Sequence, residues 1–90
     1  MPLELRTTTA FERDLRRVNK QHKGLEKLEA VVNLLQEQRP LPHRCRPHPL
    51  RGSWSGYWDC HIEPDWLLLY KVMNQVLILV RTGSHAELFE

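Results

Sequence analysis

Six side chains in the second half of this chain have types and spacing suited to moving protons beside a phosphate: His48, Asp59, His61, Asp65, Arg81 and His85. Imidazole titrates near neutrality, with an unperturbed pKa of about 6.5, so a histidine can donate or accept a proton in one pH range. A carboxylate beside an imidazole orients the ring and favours its charged form. A planar guanidinium suits phosphate oxygens. This inventory fits RNA cleavage without a metal, in which the 2′-hydroxyl attacks the adjacent phosphate. A base takes the hydroxyl proton, an acid protonates the leaving 5′-oxygen, and a cation stabilises the phosphorane. Each of the three histidines is a candidate acid or base. A zinc shell is not expected: Cys60 and His61 are neighbours on a strand and point to opposite faces, and no CxxC or HxxxH spacing closes a shell. No carboxylate cluster suggests a two-metal site, and no cofactor is expected.

Each of these residues also has a plainer reading. His61 on an exposed strand face can be an ordinary surface histidine. Asp59 can pair across a sheet with Lys71 or Arg81, and Asp65 can do no more than shape a Pro-Asp turn. What separates the readings is whether the fold brings the six together.

The elements that must do so are legible from periodicity. LELRT (3–7) reads as a first strand. Thr9-Ala-Phe-Glu12 fits a capping box, and Phe11, Leu15 and Val18 form one helical stripe. Gly24 separates this helix from a second, over 25–38, whose stripe is Leu25, Leu28, Val31, Val32 and Leu35; Pro40 and Pro42 stop it. An irregular stretch runs to about residue 55, long for so small a domain; loops of this kind are usually functional or disordered. Tyr57–Ile62 is a strand with Trp58, Cys60 and Ile62 facing the core and Tyr57, Asp59, His61 and Glu63 facing away. Glu63-Pro64-Asp65-Trp66 is a turn with proline at its favoured second position. Strands follow over 67–72 and 76–81, joined by a tight turn. Thr82-Gly83 ends the last strand, and Ser84-His-Ala-Glu87 repeats the capping box before a short terminal helical turn. The order βααβββ predicts an α+β domain over residues 1–90, with a twisted, mostly antiparallel sheet and two helices packed on one face.

Composition sets the outer bounds. Ninety residues suit one core, and 41% hydrophobic with 27% charged residues is globular. No apolar run reaches the roughly 18 residues of a membrane span. The sequence MPLELRTTTAF has no signal-peptide pattern, and the two cysteines form no motif, so reduced thiols in a cytoplasm are expected. Net charge is only +2, yet residues 13–23 hold five of the thirteen basic side chains, and 39–51 holds four arginines and two histidines without a carboxylate. Arg13, Arg16, Arg17 and Lys20 on the helix, with Arg44, Arg46 and Arg51 in the loop, are therefore candidates for binding a polyanion.

HPLRGSWSGYWDCHIEPDWLLLYKV (48–72), followed by RTGSHAELF (81–89), resembles the YafQ branch of the RelE superfamily of bacterial toxins. The family pattern is an H-P-L-x-G-x-W-x-G-x-x-[DE]-x-H-[IV]-x-P-D-W core with a terminal R-T-G-[ST]-H-x-x-L-F. The resemblance implies a ribosome-dependent messenger RNA endonuclease, encoded beside an inhibiting antitoxin. It puts His48, His61, Asp65 and His85 on catalytic positions and Asp59 on a supporting one. Arg81 matches a phosphate-contacting arginine, and Phe89 an aromatic that helps position substrate. Ser84 stands where threonine is common, and Glu90 where a neutral residue is more usual. The implied partners are an acidic or amphipathic antitoxin, ribosomal RNA and messenger RNA, with no membrane and no stable DNA binding by the toxin alone. The alternative is the related ParE branch, which shares the fold but inhibits DNA gyrase by binding it.

Overall fold

A computed structural model describes residues 1–89; Glu90, and with it the departure noted at that position, lies outside the described residues. The chain runs β1 (Glu4–Thr7), α1 (Thr9–Lys20), α2 (Leu25–Gln36), β2 (His48–Pro49), β3 (Trp58–Glu63), β4 (Trp66–Met73), β5 (Val76–Gly83) and α3 (His85–Phe89). The five strands form one sheet in the order β1-β5-β4-β3-β2. β1 pairs parallel with β5, and every other neighbour is antiparallel. The α+β architecture is the expected one, with one strand added. The irregular stretch after α2 contains two short 3₁₀ turns, His43–Cys45 and Gly52–Trp54, and between them β2, which sets His48 opposite Asp59.

The main core lies between the sheet and the two long helices. Phe11 and Val18 from α1 and Leu28, Val31 and Val32 from α2 pack on Cys60, Ile62, Trp66, Leu68, Tyr70, Leu77 and Leu79. The opposite face is not fully open. Leu67, Leu69 and Leu88 form a second small cluster there, joined by Leu50, Trp54 and Val80. β4 is thus covered on both sides, which is why LLLY reads as a continuous apolar run rather than an alternation.

Several boundaries move for identifiable reasons. The cap of α1 is Thr8, not Thr9: its Oγ1 accepts from the Phe11 N–H at 3.0 Å and donates to the Val80 carbonyl at 2.7 Å. Trp58, expected in the core, is 41% exposed at the start of β3. Glu63, expected beside His61, turns to the helix side and pairs with Lys27 of α2 at 2.5 Å. A shift in the β3–β4 register between His61 and Glu63 breaks the alternation, as a bulge does. The β4–β5 turn places Asn74 and Gln75 at φ 52° and 66°, the left-handed pair of a type I′ hairpin. The Ser84 capping box forms as expected: Ser84 N–H donates to Glu87 Oε1 at 2.8 Å, and Glu87 N–H to Ser84 Oγ at 3.1 Å.

Candidate active site

Four elements bring the histidines to one end of the sheet. β2 carries His48, β3 carries Asp59 and His61, the β3–β4 turn carries Asp65, and α3 carries His85. The His61 and His85 ring centroids are 5.8 Å apart. His48, His61 and His85 all act electrostatically on Asp59 between them.

Each imidazole is anchored through Nδ1 to an oxygen. His48 Nδ1 lies 3.1 Å from the Arg46 carbonyl, His61 Nδ1 lies 3.3 Å from the Pro64 carbonyl, and His85 Nδ1 lies 2.7 Å from Asp65 Oδ1. A carbonyl or carboxylate oxygen accepts only, so Nδ1 must carry the proton in each ring. That assigns the tautomer and leaves three Nε2 atoms for chemistry. Arg46 reaches its position with φ 45°, a left-handed conformation unusual outside glycine. The strain sits where the backbone must turn its carbonyl to His48.

Asp65 accepts two bonds through Oδ1, from the His85 backbone N–H at 3.0 Å and from the His85 ring. The backbone bond, then the ring bond, hold its carboxyl below the usual 3.8. Asp65 is therefore an anion beside His85 at neutral pH. The plainer reading of Asp65 as a turn former is incomplete: it shapes the turn and also positions His85.

Asp59 differs in kind. It is 5% exposed. Its Oδ1 lies 3.1 Å from His48 Nδ1, but the alignment is not that of a hydrogen bond, and this oxygen has no hydrogen-bond partner among the described residues. Burial raises its pKa, against the opposing pull of the three histidines. Next to it, burial pushes the Cys60 thiol up to about 12, which makes it a core group rather than a nucleophile.

Arg81 enters from the far side. Asp59 and Arg81 are register partners of Leu69 on either side of β4, so their backbones lie about 10 Å apart. Val80 has no register partner, and this bulge re-aims Arg81. The guanidinium is held by Asp14 of α1, through Nε at 2.5 Å and Nη2 at 3.2 Å. Asp59 therefore pairs with neither Lys71 nor Arg81. Phe89 is 42% exposed at the end of α3, and its ring meets Trp54 edge-on at 6.2 Å.

Of the basic candidates, Arg13, Arg16, Lys20, Arg44, Arg46 and Arg51 are exposed. Arg44 and Arg46 also line, with His61, an open groove of about 720 Å³ between α2 and β3. Arg17 does not belong with them. Its guanidinium donates to Asp14 Oδ1 and to the Thr82 carbonyl, both at 2.9 Å, and pairs with Glu87 at 2.9 Å. Sequence reading missed Asp14 altogether. The signal was there: Asp14 falls between Phe11 and Val18 on the buried stripe, where an aspartate needs a partner.

Among the described residues no helix is long and apolar enough to cross a membrane, and no three His, Cys, Asp or Glu side chains converge as a metal shell. The family described as the bacterial toxin of type II toxin–antitoxin systems, YafQ, matches residues 3–90. The mRNA interferase toxin YafQ of Escherichia coli K12 is 45% identical over 80 residues, 88% of this chain and 87% of that protein. YafQ in the E. coli DinJ–YafQ toxin–antitoxin complex superposes with a TM-score of 0.91 at 40% identity, covering 100% of both chains. A metal-bound toxin from Helicobacter pylori superposes with a TM-score of 0.92 at 38% identity, covering 97% of this chain and 99% of the other.

Proposed function

The chain belongs to the YafQ family of bacterial type II toxins; it is a toxin of the mRNA-interferase type, and we propose that it cuts messenger RNA on the ribosome by acid–base catalysis without a metal ion. The observation that carries this reading is the set of three imidazoles, each with Nδ1 tied to an oxygen and Nε2 without a partner among the described residues. His48 or His61 takes the 2′-hydroxyl proton through Nε2 as the 2′-oxygen bonds to phosphorus. His85, held through Nδ1 by Asp65, gives the Nε2 proton to the departing 5′-oxygen. The Arg81 N–H groups that have no partner among the described residues are the proposed donors to the charge on the non-bridging oxygens. The products are a 2′,3′-cyclic phosphate and a 5′-hydroxyl. Positioned acids and bases of this kind contribute about 10²–10⁴-fold each.

The openness of the site supports dependence on the ribosome. The His48 and His85 side chains are 54% and 53% exposed. No wall among the described residues closes over them, so little on the toxin can hold a flexible RNA at attack distance. A partner surface must supply that alignment, and proximity of this kind is the larger part of many rate enhancements. Exposed Arg13, Arg16, Lys20, Arg44, Arg46 and Arg51 are suited to ribosomal RNA. A cognate antitoxin, as in the E. coli complex, is the inhibitory partner.

The test is primer extension on a message being translated in a purified system, with the unaltered protein and His85→Ala side by side. Discrete in-frame cuts that survive exhaustive chelation of divalent metal from the toxin before mixing, and vanish in the variant, are expected. Cleavage lost on stripping the toxin and restored by a transition metal would overturn the metal-free assignment, which the metal-bound relative makes the necessary control. An intact message with both proteins would overturn the nuclease reading itself.

A further inference from the structure

Asp14 is a carboxylate in the core: it is 3% exposed, on the stripe of α1 that packs against β5. It accepts four hydrogen bonds, from Arg81 Nε at 2.5 Å, Arg81 Nη2 at 3.2 Å, Arg17 Nη1 at 2.9 Å and the Thr82 backbone N–H at 3.2 Å. Burial alone would raise its pKa, but the Arg81, Thr82 and Arg17 donors outweigh it and hold the carboxyl below 3.8. Asp14 is thus an anion at neutral pH, bonded to Arg81.

The geometry of that pair matters more than its charge. A guanidinium has five N–H groups. Asp14 takes the Nε edge, one N–H on Nε and one on Nη2, and the remaining three have no partner among the described residues. A bidentate edge fixes the plane of the guanidinium as well as its distance. The same carboxylate also reaches the element that carries His85. Arg17 bridges Asp14 to Glu87 of α3, and Glu87 holds the Ser84 N–H just before His85. The packing is close enough that a Cβ on Gly83, at φ 155°, would come within 2.6 Å of Arg17 Nη2.

We propose that Asp14 is the positioning residue of this nuclease, orienting Arg81 toward the reacting phosphate. The proposal rests on the mRNA-interferase reading above. A purely structural ion pair is the competing account, but buried ion pairs contribute little net stability compared with apolar packing of the same volume. Fixing the direction of a cation is something apolar packing cannot do.

The experiment measures kcat and KM for ribosome-bound message with the unaltered protein, Asp14→Asn, Arg81→Ala and the double variant, each well below its unfolding temperature. Misplacing a catalytic group by about 1 Å costs on the order of 10²-fold, so Asp14→Asn should lower kcat at least about tenfold with KM little changed. In the Arg81→Ala background the same substitution should change kcat by less than about twofold, because the group it positions is gone. Should Asp14→Asn not fold, Arg81→Lys carries the test: it keeps a cation against Asp14 without the fixed plane, and its kcat should fall at least about tenfold. Full activity of Asp14→Asn or of Arg81→Lys overturns the proposal, as does an Asp14→Asn penalty that multiplies undiminished onto Arg81→Ala. No cleavage by the unaltered protein overturns the parent reading and this one together.

Discussion

Replacing Thr82 by valine removes one hydroxyl that joins the two halves of the site. Thr82 and Trp66 are both fully buried. The hydroxyl accepts from the Trp66 indole Nε1–H at 2.9 Å and donates to the Leu67 carbonyl at 2.7 Å. Valine has the same shape, so no cavity opens. What changes is that the indole N–H stays in the core without an acceptor. Such a donor costs about 1–3 kcal/mol, and a carbonyl that loses one of two possible donors adds less. The expected loss is about 2 kcal/mol, which lowers the melting temperature of a domain this size by roughly 8–16 °C. Thr82→Ser is the control: it keeps the hydroxyl and loses one buried methyl, at about 0.5–1.5 kcal/mol. Urea unfolding followed by tryptophan fluorescence reads both, with an unchanged m-value showing that only stability moved. A cost for valine below about 0.5 kcal/mol, or below that for serine, would refute the reasoning, because packing rather than hydrogen bonding would then hold these strands. Cleavage should fall as well at a temperature where the variant is folded. Asp65 immediately precedes Trp66, and His85 follows Thr82 by three residues, so the hydroxyl ties the turn to α3.

Two further outcomes concern the buried carboxylates and have opposite signs. Asp14 has a folded-state pKa below 3.8, so its contribution to stability is present above that value and lost as pH falls through the folded value. Unfolding midpoints measured between pH 5 and pH 2 should drop in the lower part of that range for the unaltered protein, and drop less for Asp14→Asn. Asp59 has a raised pKa, so its ionised form weighs against the fold once pH rises past the unfolded value. Asp59→Asn should therefore raise the melting temperature at pH 7 while lowering cleavage; a fall in both would show that the carboxylate is held better than its bare oxygen suggests.

How much of this was legible in the sequence depends on how local the signal was. The helices, four of the five strands and the Ser84 capping box follow from periodicity and punctuation within a few residues, and all formed. β2 was not legible because it is two residues long, one of them proline, and exists only through its pairing with β3. Glu63 was misplaced because a bulge reverses the alternation without a residue type that announces it. Arg17 was read as a surface cation because its charge marks the polar side of a helix. Its three partners, Asp14, Thr82 and Glu87, come from α1, β5 and α3. The histidines stood out by type and through the family pattern. The oxygens that orient them did not, since two are backbone carbonyls that every residue has.

Those anchors also separate the histidines by how far their orientation depends on the fold. His48 and His61 hang on carbonyls two and three residues away, so their orientation comes with the local turn. His85 hangs on Asp65, twenty residues away, across the gap between the β3–β4 turn and α3. Its alignment needs both elements in register, which the buried Trp66–Thr82 bond and the Arg17–Glu87 pair supply from opposite sides. A disturbance of α3 thus reaches the proposed acid before either candidate base. Because acid and base act in one transition state, losing the alignment of His85 alone forfeits its whole factor of about 10²–10⁴ even with His48 and His61 untouched. On the proposed mechanism, cleavage should therefore be as sensitive to the join between α1, β5 and α3, where Asp14 sits, as to the exposed imidazoles themselves.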